Sequence, residues 1–269
     1  MGLLAKSGAS DGPRIILREF GIRTLERASY PHIDRKFVVE FDPVWRWTAK
    51  GVREPGVLKF AQDMIRPGAT VFDVGAHIGE WTILFSELVG EAGRVVAFEP
   101  DPVARASLQK NLMLNSIRNV SVEASSVSDR VGTASLSAER FGSGLSSIIG
   151  PHDNPSRYSH VEVASTTLDE YCDVHQTYPD WVKIDAEGAE PLIVSGMRGL
   201  IESHHPSVIL EFHSDSLNEA EKQSAWSEVT SGALSVEFLQ SRHKDHGYLE
   251  VLPKGYVPDC GFLVVYIEY

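Results

Sequence analysis

The chain has 269 residues, 42% of them hydrophobic and 23% charged, the composition of one globular unit with room for a sizeable core. Its 25 lysines and arginines against 37 aspartates and glutamates leave a net charge of −12. With no basic run to offset it, that charge argues against a nucleic-acid backbone or an anionic membrane surface as partner. Cys172 and Cys260 are too few for a disulfide framework or a cysteine zinc site, and no apolar run reaches the roughly 20 residues of a membrane span. Residues 1–11 lack a signal-peptide pattern, so a reducing cytoplasm is the expected compartment.

In chain order, residues 1–55 read as a leader and an N-terminal cap, with a helix over 15–28 and a hairpin over 37–47. The main domain, 56–269, starts with a helix over 57–65. From Thr70 onward, short β-branched runs alternate with longer amphipathic stretches, the pattern of an α/β sheet of mostly parallel strands with helices on both faces. Strands are expected at 70–74, 94–98, 120–124, 181–185, 207–212, 235–239 and 262–267. Helices are expected at 79–88, 102–115, 167–172, 189–201 and 218–228. Pro102 suits a first helical turn, and Thr167 with Glu170 has capping-box spacing. The Gly/Ser/Pro-rich stretch 142–157 breaks the alternation and reads as a loop and a candidate lid.

The strongest motif is Asp73-Val74-Gly75-Ala76-His77-Ile78-Gly79, where a buried strand runs through two glycines into a helix. A side chain at Gly75 or Gly79 would keep the backbone from a ligand lying across the strand ends. The spacing is not G-x-G-x-x-G, and an Asp at the strand end would repel a pyrophosphate. S-adenosyl-L-methionine, with a cationic amino group and sulfonium, fits such an end better. Glu99, at the end of the next strand, can accept hydrogen bonds from both ribose hydroxyls, a role shared by NAD and S-adenosylmethionine sites.

DVGAHIG, AFEPDPVARASLQKNLMLN (97–115), WVKIDAEGAEPLIVSG (181–196) and HPSVILEFH (205–213) together resemble the FkbM family of S-adenosylmethionine-dependent methyltransferases. The likeness covers residues 70–213 and is most specific at KIDAEGAE. It implies a class I methyltransferase, Rossmann-like fold: a seven-stranded, mostly parallel sheet with an antiparallel last strand. It also implies methyl transfer to a hydroxyl of a small molecule such as a sugar, a polyketide or another secondary metabolite. Position by position, Asp73, Gly75, Ala76, His77 and Gly79 would line the methionine end of the cofactor and Glu99 the ribose. Pro100, Asp101 and Pro102 would lie near the adenine, with Ser126 against its ring and Thr82 and Glu54 toward the amino-acid tail. Asp185, at the end of the fourth strand, would reach both cofactor and acceptor. His77 stands where the family most often has Asn, and Ala186 where Val is usual.

On the acceptor side, period-two alternation puts Glu211, His213 and Asp215 on one side of the fifth strand, beside Asp185, Glu187 and Glu190 of the fourth strand end and its turn. Two mechanisms follow. In one, His213 or Asp185 is a general base, and the surrounding carboxylates, Glu187 and Glu211 among them, raise the histidine pKa and orient acceptor hydroxyls. In the other, Asp185, Glu211 and His213 bind a divalent metal such as Mg²⁺. Lys183 is expected to pair with a carboxylate. His152, Tyr158 and His160 flank the 142–157 loop, and Trp45 and Trp47, two apart in the cap, can stack on a sugar or planar ring or equally belong to the core. The partner expected is a small-molecule acceptor, with no nucleic acid and no membrane, and a homodimer is left open as an assembly. An N- or carboxyl-methyltransferase and a non-catalytic methyltransferase-like module stand as alternatives, with an NAD-dependent oxidoreductase behind them.

Overall fold

The computed structural model describes residues 24–29, 36–41, 55–139, 146–149, 158–241, 244–253, 255–258 and 262–269. A hairpin of β1 (Thr24–Ser29) and β2 (Lys36–Phe41) precedes the domain, and α1 (Pro55–Met64) opens it. Then come β3 (Thr70–Val74), α2 (Glu80–Val89), β4 (Arg94–Phe98), α3 (Pro102–Leu114) and β5 (Val120–Glu123). A small sheet follows, of β6 (Ser126–Val127), β7 (Gly132–Glu139) and β8 (Tyr158–Thr166). The chain continues through α4 (Leu168–His175), β9 (Trp181–Ile184), α5 (Glu190–Ser195), α6 (Arg198–His204), β10 (Ser207–His213) and α7 (Glu219–Val229). It closes with β11 (Ser235–Ser241), β12 (Lys244–Val251) and β13 (Phe262–Glu268).

The main sheet runs β12-β11-β13-β10-β9-β3-β4-β5. Strands β5, β4, β3, β9 and β10 are parallel, while β13 inserts antiparallel between β10 and β11. This is the class I methyltransferase arrangement of seven strands, with β12 added as an eighth at the edge. Strand order reverses at β3, which climbs to β4 and β5 on one side and to β9 and β10 on the other. Such a switch point leaves a crevice at the strand C-termini.

Strand alternation sorts the core onto two faces. Phe72, Phe98, Ile184, Leu210 and Phe212 pack with Leu168 of α4, Ile193 of α5 and Trp226 of α7. Val71, Val95, Trp181 and Ile209 face Phe60 of α1 and Phe85 of α2. All are buried, and at about 25 cal/mol per Å² of apolar surface removed from water these two layers supply the main drive to fold. Among the described residues, no helix is long and apolar enough to cross a membrane.

Four expectations change. Residues 24–28, expected within a helix, form β1, because a helix-compatible Thr-Leu-Glu-Arg-Ala-Ser run gains a complete ladder against β2. The hairpin therefore lies earlier than 37–47; residues 15–23 and 42–47 are outside the described residues. The helix expected over 189–201 is two helices, because Gly196 packs against Ser128 so closely that a Cβ there would overlap the Ser128 carbonyl oxygen. Asp169 of α4 then restarts the helix, accepting from the backbone N–H of Gly199 (2.9 Å) and Leu200 (2.7 Å). Finally, the β6–β8 sheet and β12 were not expected from pattern.

Candidate active site

The cleft at the ends of β3, β4, β9 and β10 is built from backbone first. Gly75 and Gly79 have φ of 79° and 95°, and a Cβ on Gly75 would overlap the Asp185 carbonyl oxygen. The Gly75 and Ala76 N–H groups both donate to Phe98 O at 3.1 Å, tying the turn to β4. Only glycine permits this turn to pass between β4 and β9, and its open face is left for a ligand.

Asp73 is fully buried, with Oδ2 accepting from the Thr82 hydroxyl at 2.6 Å. Its Oδ1 has no hydrogen-bond partner and lies 3.7 Å from Lys183 Nζ. Burial raises the Asp73 pKa, and the Lys183 charge pulls it back. Thr82 is itself fully buried and its hydroxyl is committed to Asp73. Glu99 is held by two backbone donors: His77 N–H gives to Oε2 at 2.6 Å and Asp101 N–H to Oε1 at 2.8 Å. Burial pushes its pKa up to about 7 against those donors. The Pro100 and Glu99 carbonyls accept from Arg105, which rigidifies the exit of β4. Asp101 caps α3 through Oδ1, with Val103 N–H at 2.8 Å, and accepts from the Ser146 hydroxyl through Oδ2 at 2.9 Å. Ser126 is buried in β6 and its hydroxyl bonds Ala164 O at 3.2 Å, so it serves the small sheet.

Lys183 sits opposite Asp73 in the β3–β9 register and pairs with Asp185 at 3.0 Å. Burial alone would lower the Lys183 pKa, but Asp185, Asp73 and Glu211 raise it, so the ammonium is a fixed charge. Asp185 shows the converse: burial would raise its pKa, but Lys183 and His213 bring it below the usual range.

Glu190 is the hub of the next layer. Its Oε1 accepts from Ala186 N–H (3.2 Å), Gly188 N–H (3.0 Å) and His213 Nδ1 (3.0 Å), while its buried Oε2 has no partner. His213 Nε2 faces Glu211 Oε1 at 3.2 Å and Glu187 Oε2 at 3.8 Å. Burial would lower the histidine pKa, but the bonds to Glu190 and Glu211 raise it to about 12. These bonds favour the imidazolium, with each ring nitrogen facing a carboxylate, and the pair with Lys183 favours ionised Asp185. Glu187 is different: burial, with Asp185 and Glu211 adding to it and His213 opposing, lifts its pKa to about 7. Glu211 is also raised, by burial and by Asp185. Glu187 is a non-glycine residue at φ 49°, a left-handed conformation that costs energy and persists because the turn around it is over-determined.

The structure thus brings together Asp73, Gly75, Ala76, His77, Gly79, Glu99, Pro100, Asp101, Asp185, Glu187, Glu211 and His213, and places Thr82 and Ser126 behind them. Tyr158 is buried in β8, and His160 bonds Ser137 of β7 at 3.3 Å. Trp45, Trp47, Glu54 and His152 lie outside the described residues. Sequence reasoning passed over Glu190 as an organiser. The signal was Pro191 beside it, which marks a first helical turn where a carboxylate can reach back to the preceding backbone N–H groups.

A family model described as the methyltransferase FkbM domain matches residues 73–261, most of the chain and every element of this cleft. The chain belongs to the FkbM methyltransferase family. Within the family, it is 43% identical over 68 residues to the 31-O-demethyl-FK506 methyltransferase FkbM of Streptomyces tacrolimicus, which is 25% of each chain. It is also 48% identical over 48 residues to ribosomal RNA large subunit methyltransferase E of Acidithiobacillus ferrooxidans, 17% of this chain and 22% of that one. The match to each of these curated relatives spans about a quarter of its length. In structure, the FkbM methyltransferase of Methylobacillus flagellatus superposes with a TM-score of 0.50 at 17% identity, over 80% of this chain and 48% of that one.

Proposed function

We propose that this FkbM-family protein is an S-adenosylmethionine-dependent methyltransferase acting on a hydroxyl of an uncharged or cationic small molecule. The observation that carries the reading is a cluster of carboxylates, one tuned to about pH 7, beside a glycine turn that has a buried acidic end. The cofactor fits the residues present: Asp73 and Asp185 set two carboxylates against the single Lys183 ammonium, which suits a cationic group, and each Glu99 oxygen accepts one backbone N–H and keeps a lone pair for a ribose hydroxyl. Bound there, S-adenosylmethionine supplies an electrophilic methyl group. The chain's share is to orient the acceptor oxygen between Asp185, Glu187 and Glu211 and to accept its proton at the Glu187 carboxylate. His213, as imidazolium, fixes Glu211 and offsets part of the negative charge. Four carboxylates (Asp185, Glu187, Glu190 and Glu211) repel an anionic acceptor, which disfavours carboxyl methylation and leaves an amine as the alternative to a hydroxyl.

Incubation with labelled S-adenosylmethionine and panels of polyhydroxylated, amine and carboxylate acceptors tests this by mass gain. Methylation of hydroxylated acceptors is expected, with Glu187→Gln lowering turnover roughly 100-fold or more while S-adenosylhomocysteine affinity stays unchanged. Methylation confined to amines or carboxylates would overturn the hydroxyl reading, and full activity in Glu187→Gln would overturn the base.

A second reading has its own observation. Asp185, Glu211 and His213 offer donor atoms within 4.8 Å of one another, and Glu190 holds Nδ1 so that Nε2 turns to the cluster, the outer-shell arrangement common to metal-ligating histidines. A divalent cation there would replace the Nε2 proton and bind the acceptor oxygens. Manganese titrated into exhaustively dialysed protein, followed by calorimetry, separates the two: no heat above that of His213→Ala removes the metal.

A further inference from the structure

Three different elements hold residues 146–149. Ser147 N and O pair with Ser137 of β7 (3.3 and 2.9 Å), which fixes the base of the segment to the small sheet. The Ser147 hydroxyl donates to the Glu187 carbonyl at 2.9 Å and accepts from Ile149 N–H at 3.0 Å. The Ser146 hydroxyl donates to Asp101 Oδ2 at 2.9 Å. Ile148 packs against both the main core and the core of the small sheet.

These contacts have a topological consequence. Asp101 follows β4 and Glu187 follows β9, and in the sheet β3 lies between those two strands. The exits of β4 and β9 are therefore two strand spacings apart, about 10 Å. Two adjacent residues, spanning about 7 Å of extended chain, bridge that gap with their hydroxyls. A segment gripping both exits has to pass over the exit of β3, where the Gly75–Gly79 turn makes the floor of the cleft. Ser147 is buried at 4% exposure, so the segment is seated.

We propose that residues 146–149 are a crossbar over the cofactor cleft, with Ser146 and Ser147 as its latches. The inference rests on the cofactor reading above. Ser146 holds Asp101 beside the ribose carboxylate Glu99, and Ser147 holds the backbone of the proposed base Glu187. The cofactor is retained between the glycine turn and the crossbar, and its exchange requires both hydroxyl contacts to break.

Stopped-flow binding of S-adenosylhomocysteine to the full chain tests this without any acceptor. In Ser146→Ala and in the double alanine variant, both association and dissociation rates are expected to rise, the double by about tenfold or more, while Ser146→Thr keeps wild-type rates. A merely loosened protein would bind more slowly, so the rise in association rate is the distinguishing readout. Wild-type protein that fails to bind S-adenosylhomocysteine overturns the cofactor reading and the crossbar with it. Wild-type binding with rates unchanged within twofold in Ser146→Ala and the double variant overturns the crossbar alone.

Discussion

Glu99 serves both the fold and the site. Its carboxylate is clamped by the His77 and Asp101 N–H groups, which fixes its direction, and burial lifts its pKa to about 7. The folded protein then holds the Glu99 proton more tightly than the unfolded chain, whose glutamate titrates near 4.5. The resulting stability is fully present below about pH 4.5 and is lost as pH rises through about 7. In urea denaturation of the unliganded protein, Glu99→Gln is expected to flatten the stability loss across that window. The same substitution removes a charged acceptor from the ribose position, so S-adenosylhomocysteine affinity should fall roughly tenfold or more by calorimetry. A variant with wild-type pH dependence and wild-type affinity would show that Glu99 does neither. Residue chemistry was legible in part: Asp73, Glu99 and Asp185 stand where alternation and the glycine turn put them. That carboxylates raise the His213 pKa was legible, but the partner at Nδ1 was not, because Glu190 is 23 residues away in sequence and 3.0 Å away in space.

At the scale of elements, one glycine and one aspartate set how neighbouring segments meet. The Gly75 turn cannot accept a side chain, since a Cβ would meet the Asp185 backbone and the φ of 79° is already costly for any L residue. Gly75→Ala is expected to abolish S-adenosylhomocysteine binding by calorimetry even where circular dichroism shows a folded chain; retained affinity would contradict the turn as cradle. Asp169 gives a control far from the cleft. It caps α6 from α4, so Asp169→Ala should lower unfolding free energy by about 1 kcal/mol with cofactor affinity unchanged. Seven strands of the main sheet were readable because most are apolar or β-branched runs bounded by turn residues, whereas β12, Lys-Asp-His-Gly-Tyr-Leu-Glu-Val, is too polar to show. The β6–β8 sheet was not, because β7 reads Gly-Thr-Ala-Ser-Leu-Ser-Ala-Glu, with small side chains that carry little strand signal and gain their order from pairing with β8.

For the whole molecule, the test is linkage. A ligand that binds only the folded state at about 100 times its dissociation constant adds roughly 2.7 kcal/mol of stability. Saturating S-adenosylhomocysteine should raise the melting temperature and NAD should not, and the reverse result would return the chain to the dinucleotide reading. What the sequence alone determined is the mostly parallel sheet, the glycine turn after β3 and the family, because these depend on local alternation and on residues close together in the chain. Only the tertiary structure decided that α5 and α6 are separate, that residues 24–28 form a strand, that His213 is clamped between Glu190 and Glu211, and that burial raises the Glu187 pKa. Each of those follows from contacts between distant segments: Gly196 against Ser128, β1 against β2, and His213 between Glu190 and Glu211. Burial and charge at such contacts are properties of the assembled fold, and no window along the chain contains them.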